Sequence, residues 1–271
     1  MKRLLLLALL LCIVGGLSGQ EVRVAAPSLL NEAVLRLRIK QIEEFMARFT
    51  HPTDRMARPL ANPGDAKAYE AGIEMLVEAT YRRKHVDAVQ GFAQAVSKSK
   101  TPLRFTDAFW YAELQCDVKY RGQAETVTLY LRVEPIAQLR YKWVLVWAEG
   151  QCLSLKPKRS NPGLIISPVE HELNFMSLVD LLNTAPSDGQ NYCSRTYKPD
   201  MLSVFLSLMR AGVLTFEGVR DIRYHFFQVP GYIFRVGHFE RQGTNVGWLI
   251  DSISTCRDED KLLGREHLFK D

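Results

Sequence analysis

The sequence predicts an α+β fold in which helices pack on bent antiparallel sheets. Apolar residues three and four positions apart mark helices in two blocks, and segments of alternating apolar and polar residues follow each block. Turn residues separate the alternating segments at short intervals, which is typical of antiparallel hairpins. The repeated order permits two similar helix-plus-meander modules, and a chance likeness between the halves is the alternative.

The first block contains three predicted helices. A helix of about twenty residues follows Ser28 and carries an apolar stripe along one side. Asp65 is placed to cap a second helix that reaches Val77, and a third helix covers roughly Val86–Val96. Pro102 ends the block because proline cannot continue a helix.

Three strands complete the first module, which spans residues 20–155. Apolar and polar residues alternate over Trp110–Tyr120, and a second strand carries apolar residues over Val127–Val133. The third segment, Tyr141–Ala148, is apolar on both sides, which predicts a strand covered on both faces.

A linker and a second module follow. Charged residues, two prolines and a glycine predict the linker at residues 156–166, and the second module spans residues 167–256. Ser167 begins a helix that ends at Asn183, and Asp200 opens another that stops at Gly212. Three strands are expected at about 214–227, 232–240 and 246–253, followed by a charged tail at residues 257–271.

Residues 1–19 have the pattern of a secretory signal peptide. Lys2 and Arg3 precede an eleven-residue apolar run, and small residues surround an expected cut near Ser18 to Gln20. A retained anchor is the alternative, but a helix needs about 20 apolar residues to cross a bilayer. The mature chain is therefore expected in the periplasm or outside the cell, without a stable membrane span.

Composition and motifs exclude several classes of function. The formal net charge of +5 falls to +3 without Lys2 and Arg3, which is too weak and dispersed to predict nucleic-acid binding. No phosphate loop, nucleophile elbow or metal motif is recognisable, and no cofactor is predicted. Glu170, His171 and Glu172 are adjacent on a predicted helix and point about 100° apart, so they cannot share one metal ion.

Four cysteines remain after signal cleavage: Cys116, Cys152, Cys193 and Cys256. An even number in an exported chain permits two disulfides, with buried free thiols as the alternative. Since each half contains two cysteines, Cys116–Cys152 and Cys193–Cys256 is the preferred pairing.

Helices followed by a bent antiparallel sheet, whose last strand is entered through Trp143, resemble the nuclear transport factor 2-like superfamily of cone-shaped α+β domains. The resemblance covers roughly Ser28 to Leu155, and it implies a cone that serves as an enzyme site, a ligand pocket or an assembly module. Enzymes of this superfamily place a histidine or aspartate inside the cone, and no histidine occurs in the first three strands. The leader ending in Gln20-Glu21 resembles exported proteins of Bacteroidetes-type bacteria.

Candidate ligand-binding residues lie in the second meander: Arg223, His225, Arg235 and His238. If Pro230-Gly231 forms the turn, His225 lies opposite Val236 and Arg223 faces His238 on the same side of the sheet. Such a patch can receive a carboxylate, a phosphate or a sugar. The alternative is a solvated sheet face.

Candidate partner-binding residues are the aromatic residues Trp110, Tyr111, Tyr130 and Tyr141, because exposed Tyr and Trp favour protein contacts. Glu113 and Asp117 share a strand face, but they are too far apart for the carboxylate pair of a glycosidase. The leading hypothesis is an exported, non-enzymatic protein that binds a protein partner in the bacterial envelope, as in a secretion or conjugation assembly. A ligand-binding protein with a cone-shaped pocket and a hydrolase whose site forms only on folding remain open alternatives.

Overall fold

The computed structural model describes residues 42–53, 65–137, 140–154, 183, 193–194, 196–240 and 245–269. Helix α1 is described over residues 42–50, and α2 (Ala66–Met75), α3 (Ala79–Lys84) and α4 (Val86–Ser99) follow it. The Asp65 cap is confirmed, because its Oδ1 accepts a hydrogen bond of 2.9 Å from the backbone nitrogen of Lys67. The short helix α3 was not predicted; Glu78 caps it by accepting from the Tyr81 nitrogen at 2.6 Å.

Six strands form one antiparallel sheet, which confirms the α+β class. They are β1 (Trp110–Tyr120), β2 (Gln123–Ala137), β3 (Arg140–Gly150), β4 (Leu214–Phe226), β5 (Tyr232–Phe239) and β6 (Gly247–Thr255). Their order across the sheet is β3-β2-β1-β4-β5-β6. Helix α5 (Met201–Arg210) precedes β4, and Gly212 follows it with a φ of 68°, the left-handed conformation expected of a glycine after a helix.

The two predicted meanders meet along a seam between β1 and β4. These strands pair antiparallel from Trp110 opposite Phe226 to Tyr120 opposite Leu214, with two register shifts between them. Each meander therefore contributes its first strand to the middle of the sheet and its third strand to an edge. The predicted linker at 156–166 and the helix expected to begin at Ser167 lie outside the described residues.

The inner face of the sheet packs against α1, α2, α4 and α5 in a single core. Aromatic rings dominate it: Phe49 stacks on Phe234 with centroids 5.2 Å apart, and Phe92 contacts the same ring at 5.2 Å. Phe226 stacks on Trp110 at 5.6 Å. Burial of these rings is the main source of stability in such a core.

Strand β3 lies at an edge of the sheet, although its sequence predicts cover on both faces. Leu145 keeps 38% of its surface exposed. Both faces are nevertheless covered locally, because Trp143 packs on Trp110 at 5.3 Å and Trp147 packs on His267 at 4.4 Å. Strand β3 is therefore apolar on both sides because each of its faces contacts a different part of the chain, although the strand lies at the edge of the sheet.

The tail after β6 docks on the sheet instead of remaining a free charged end. We name residues 257–269 the C-terminal strap; it ends in helix α6 (Glu266–Phe269), in which Leu268 is buried. Among the described residues, no helix has the length and apolar character needed to cross a membrane.

The preferred disulfide pairing is wrong. Cys116, Cys152 and Cys256 are free thiols, and each expected bridge contains at least one of them. Strand β2 separates β1 from β3, which places Cys116 roughly 9.5 Å across the sheet from the strand before Cys152, beyond the ~7 Å Cα limit of a disulfide. Cys193 precedes α5, which packs on β3 and β4, whereas Cys256 follows β6 beyond β5.

Candidate binding surface on the outer face of the sheet

The outer face, opposite the core, carries titratable residues on four neighbouring strands. Directly paired residues form two rows over β1, β4, β5 and β6: Tyr111, His225, Arg235 and Ser252 in one, and Glu113, Arg223, Gly237 and Leu249 in the next. We name six titratable residues of this region the polar cluster: Glu113, Asp221, Arg223, His225, Arg235 and Asp251. Because alternate residues of a strand share a face, the inward apolar pattern fixes this outward set.

The centre of the polar cluster is a hydrogen bond across the seam. His225 Nε2 donates to Glu113 Oε2 at 2.7 Å, and the two side chains are only 16% and 19% exposed. This hydrogen bond lowers the pKa of Glu113, against the opposing effect of burial. Tyr111 stacks on the imidazole with centroids 4.7 Å apart, so the ring of His225 is held on one face as well as at Nε2.

Two arginines flank this pair, and each is held by a carboxylate. Arg223 Nε donates to Asp221 Oδ2 at 3.0 Å, and Arg235 Nε donates to Asp251 Oδ1 at 2.8 Å. Burial acts to lower the pKa of Arg235, but the hydrogen bond and charge of Asp251 outweigh it and raise that pKa. Within the described part of the chain, both guanidinium groups hydrogen-bond through Nε alone, so their terminal N–H groups remain available as donors.

Gly237 leaves room for one of these carboxylates. A Cβ added at Gly237 would lie 3.0 Å from Asp251 Oδ2. Asp251 is the extra residue of a register shift in β6, since Arg235 pairs with Ser252 and Val236 pairs with Ile250. The bulge and the glycine together allow the Asp251 carboxylate to reach Arg235.

An aromatic group adjoins the polar cluster. We name Tyr111, Tyr130, Trp147 and Phe227 the aromatic shelf; with Leu268 of the strap they belong to a small apolar cluster distinct from the main core. Tyr130 Oη and Trp147 Nε1 donate to the Glu149 carboxylate at 3.0 and 3.2 Å. Burial raises the pKa of Tyr111 to about 12, so its hydroxyl stays protonated at neutral pH.

The structure brings Arg223, His225 and Arg235 together on the outer face. The expected register is wrong, because with His225 opposite Val236 the Arg235 side chain would lie on the other face and His238 on this one. Arg223 pairs with Gly237, and His225 pairs with Arg235, one residue away from the expected register. A shift of one residue moves a side chain to the opposite face of a sheet. His238 therefore lies on the other face, where its ring contacts Trp248 at 5.1 Å.

Two of the predicted partner-binding residues are not exposed. Trp110 is buried in the main core, and Tyr111 is buried beneath the C-terminal strap. Tyr130 is half-buried, whereas Tyr141 is exposed near the edge of the sheet. Strand alternation correctly placed Trp110 and Tyr111 on opposite faces. It did not predict that the strap covers Tyr111 on the outer face.

Sequence reasoning missed the contact between Glu113 and His225. The two residues are 112 positions apart, and the sequence relates Glu113 only to Asp117 on the same strand, which instead pairs with Arg220. Both were expected on strands, so the missing information was the pairing of β1 with β4.

Among the described residues, no group of His, Cys, Asp and Glu is arranged to hold a metal ion.

Comparison of the chain with family models, with curated proteins and with solved structures finds no match.

Proposed function

We propose that this chain is an exported, non-enzymatic binding protein of the bacterial envelope, and that the outer face of its sheet recognises a protein partner. The observation that carries this proposal is the pair Arg223 and Arg235. Both are oriented through Nε by carboxylates and offer their terminal N–H groups beside the half-buried His225–Glu113 pair. The side chains of Arg223 and Arg235 keep 33% and 32% of their surface exposed, so these groups are accessible.

Charge pairing favours a protein partner over a simple anion. Three carboxylates, those of Glu113, Asp221 and Asp251, accompany the two guanidinium groups, so an added anion would meet no net positive charge. Arginine, tyrosine and tryptophan are the residue types that contribute most to protein interfaces, and they are the types that line this face.

The inner face argues against the alternative of a cone-shaped ligand pocket. Aromatic rings fill the space between sheet and helices, with Phe226 between Trp110 at 5.6 Å and Phe234 at 5.0 Å. Such close contacts are those of a packed core. Of the three uses that the resemblance to the nuclear transport factor 2-like superfamily implies, this proposal therefore retains only the assembly module.

The sheet order supports the proposal that the chain contains two similar modules. Two copies of a meander whose first strands pair antiparallel give the observed order β3-β2-β1-β4-β5-β6. Trp143 and Trp248 then occupy comparable places on the third strand of each module and contact Tyr224 at 6.4 and 4.9 Å.

Photo-crosslinking in cells tests the recognition surface. A photoreactive residue replaces Gln115, which lies on the outer face beside the polar cluster, and in a matched strain it replaces Gln94, which is exposed on α4. We expect a discrete crosslinked protein from position 115 only, and its loss when Arg223→Ala and Arg235→Ala are combined. Equal products from both positions, or none from 115, would contradict the proposed surface.

Cell fractionation tests the proposed export. We expect the mature chain in the envelope or medium with a new amino terminus near residue 20, as determined by N-terminal sequencing. Full-length chain that retains Met1 in the cytoplasm would contradict the location and the envelope role together.

A hydrolase is the second candidate, and the His225–Glu113 hydrogen bond is the observation that favours it. A carboxylate that orients a histidine is part of many hydrolytic sites. Within the described residues, however, no hydroxyl or thiol hydrogen-bonds to His225, so a nucleophile in the triad arrangement is not evident there. Hydrolysis of chromogenic esters by the purified chain, lost in His225→Ala and retained in Arg223→Ala, would favour the hydrolase.

A further inference from the structure

The C-terminal strap is held by two groups of contacts that are separate in sequence. The first is polar: the buried Lys261 ammonium donates to the carbonyl oxygens of Phe227 and Val229 at 2.9 and 2.5 Å. Asp258 joins it, pairing with Lys261 at 2.6 Å and accepting from the Gly231 nitrogen at 2.9 Å. These contacts attach the beginning of the strap to the turn between β4 and β5.

The second group of contacts covers the aromatic shelf. Leu268 is buried in the small outer cluster, and Phe269 lies 5.4 Å from Phe227 and 6.0 Å from Tyr111. The His267 ring contacts Trp147 at 4.4 Å. Arg265 lies over Phe227, with its guanidinium carbon 5.7 Å from the ring centroid.

We infer that the aromatic shelf is a docking site for a short helical turn bearing adjacent leucine and phenylalanine behind a basic residue, and that a partner segment of this chemistry displaces residues 265–269. The strap itself supplies the evidence for the occupant, because it fills the shelf with Arg265, Leu268 and Phe269. Lys261 binds backbone carbonyl oxygens, whereas the shelf contacts join side chains. The end of the strap can therefore leave the shelf while its beginning stays attached. A tethered occupant is present at high effective concentration, so the free segment competes poorly until the tethered one is weakened.

This inference deepens the proposed function. It rests on that function because it takes the displacing segment to be part of the protein partner. The shelf is continuous with the polar cluster, because Tyr111 belongs to the shelf and stacks on His225 at 4.7 Å. One partner can therefore place its apolar turn on the shelf and its polar groups against Arg223 and Arg235.

A peptide titration tests the docking site with the full mature chain. The probe is a fluorescein-labelled synthetic peptide with the sequence of residues 262–269, followed by fluorescence anisotropy. The receptors are the unmodified chain and a variant carrying Leu268→Ala and Phe269→Ala, which weakens the tethered occupant and keeps the Lys261 anchor. We expect the variant to bind at least about tenfold more tightly than the unmodified chain, because competition in the same molecule is relieved.

Matched controls identify the surface that binds the probe. A peptide with Leu268→Ser and Phe269→Ser should not bind, and adding Trp147→Ala or Tyr130→Ala to the receptor should abolish binding while circular dichroism shows the fold unchanged. Equal affinity for both receptors, absence of binding, or binding that survives the folded shelf variants would overturn the inference.

The failure of the proposed function is distinguishable from the failure of this inference. Arg223→Ala with Arg235→Ala should leave peptide affinity within about twofold, because the hydrogen bonds of both arginines go to Asp221 and Asp251 and not to the strap. Peptide binding without any crosslinked protein at position 115 would retain the docking site and refute the partner surface. Crosslinking at position 115 without peptide binding would retain the partner surface and refute the docking site.

Discussion

Neighbouring residues of β4 show how differently the two faces of the sheet are built. Phe226 is fully buried on the inner face and stacks on Trp110 and Phe234. His225 lies on the outer face, keeps 16% of its side chain exposed and hydrogen-bonds to Glu113. Large apolar contacts on the inner face and paired titratable groups on the outer face imply that stability comes mainly from the inner face. The proposed recognition is assigned to the outer face.

Truncation of Phe226 should give the largest effect. Phe226→Ala removes a fully buried ring between two stacked neighbours, and we expect the free energy of unfolding to fall by about 3–5 kcal/mol. Urea denaturation followed by circular dichroism measures the change. A loss below about 1 kcal/mol would mean that the inner face does not carry the stability assigned to it.

Replacement of Lys261 tests how firmly the strap is joined to the outer face. Lys261→Met keeps the length of the side chain but leaves two backbone carbonyl oxygens without their donor, so we expect a loss of about 1–3 kcal/mol. Hydrogen exchange should increase in residues 257–269 while β1 and β4 remain protected. Lys98→Met, at an exposed position of α4, is the matched control and should change neither quantity. Unchanged exchange in the strap would contradict the anchor.

The Glu113–His225 pair should make stability depend on pH on the acid side. The hydrogen bond from His225 lowers the pKa of Glu113 in the folded chain, so its contribution is present above the unfolded pKa of about 4.3 and is lost as pH falls through the lower folded pKa. We expect Glu113→Gln to be about 1 kcal/mol less stable at pH 7, with the difference shrinking toward pH 3.

Urea denaturation at a series of pH values measures this difference directly. Glu43→Gln, at an exposed position of α1, provides the control and should show no pH-dependent difference from the unmodified chain. A constant difference for Glu113→Gln between pH 7 and pH 3 would show that the carboxylate is not stabilised by its partner.

The sequence predicted the strands better than their partners. The six strands of the described sheet lie at the segments expected from the sequence, which alternates in β1 and is apolar on both sides in β3. The pairing of β1 with β4 was not predictable, since alternation does not indicate which of two distant strands will be neighbours. The separation between Trp110 and Phe226, which face each other across the seam, is more than one hundred residues.

The same difference explains what could be predicted of the candidate site. Arg223, His225 and Arg235 are recognisable as candidates because they lie close together on the two strands of one hairpin. The expected Pro230-Gly231 turn does form, since the Tyr232 nitrogen donates to the Val229 carbonyl at 3.1 Å. One extra residue between Phe226 and this turn shifts the strand pairing by one, which reverses the expected faces of Arg235 and His238. Glu113 was missed because its contact crosses the seam.

The exposed end of the seam should contribute least, and it provides the sharpest comparison within the outer face. Lys119 and Glu217 form a 2.9 Å ion pair across β1 and β4, like the His225–Glu113 pair, but the Lys119 side chain is 52% exposed. Solvent screening and loss of side-chain freedom offset most of the attraction between exposed charges, so we expect a double-mutant cycle with Lys119→Ala and Glu217→Ala to give a coupling below about 0.5 kcal/mol. The equivalent cycle with Glu113→Ala and His225→Ala should give a larger coupling, because both groups are mostly buried. Equal coupling in the two cycles would mean that the paired charges only fix the register of the seam, and that burial near His225 has no special role.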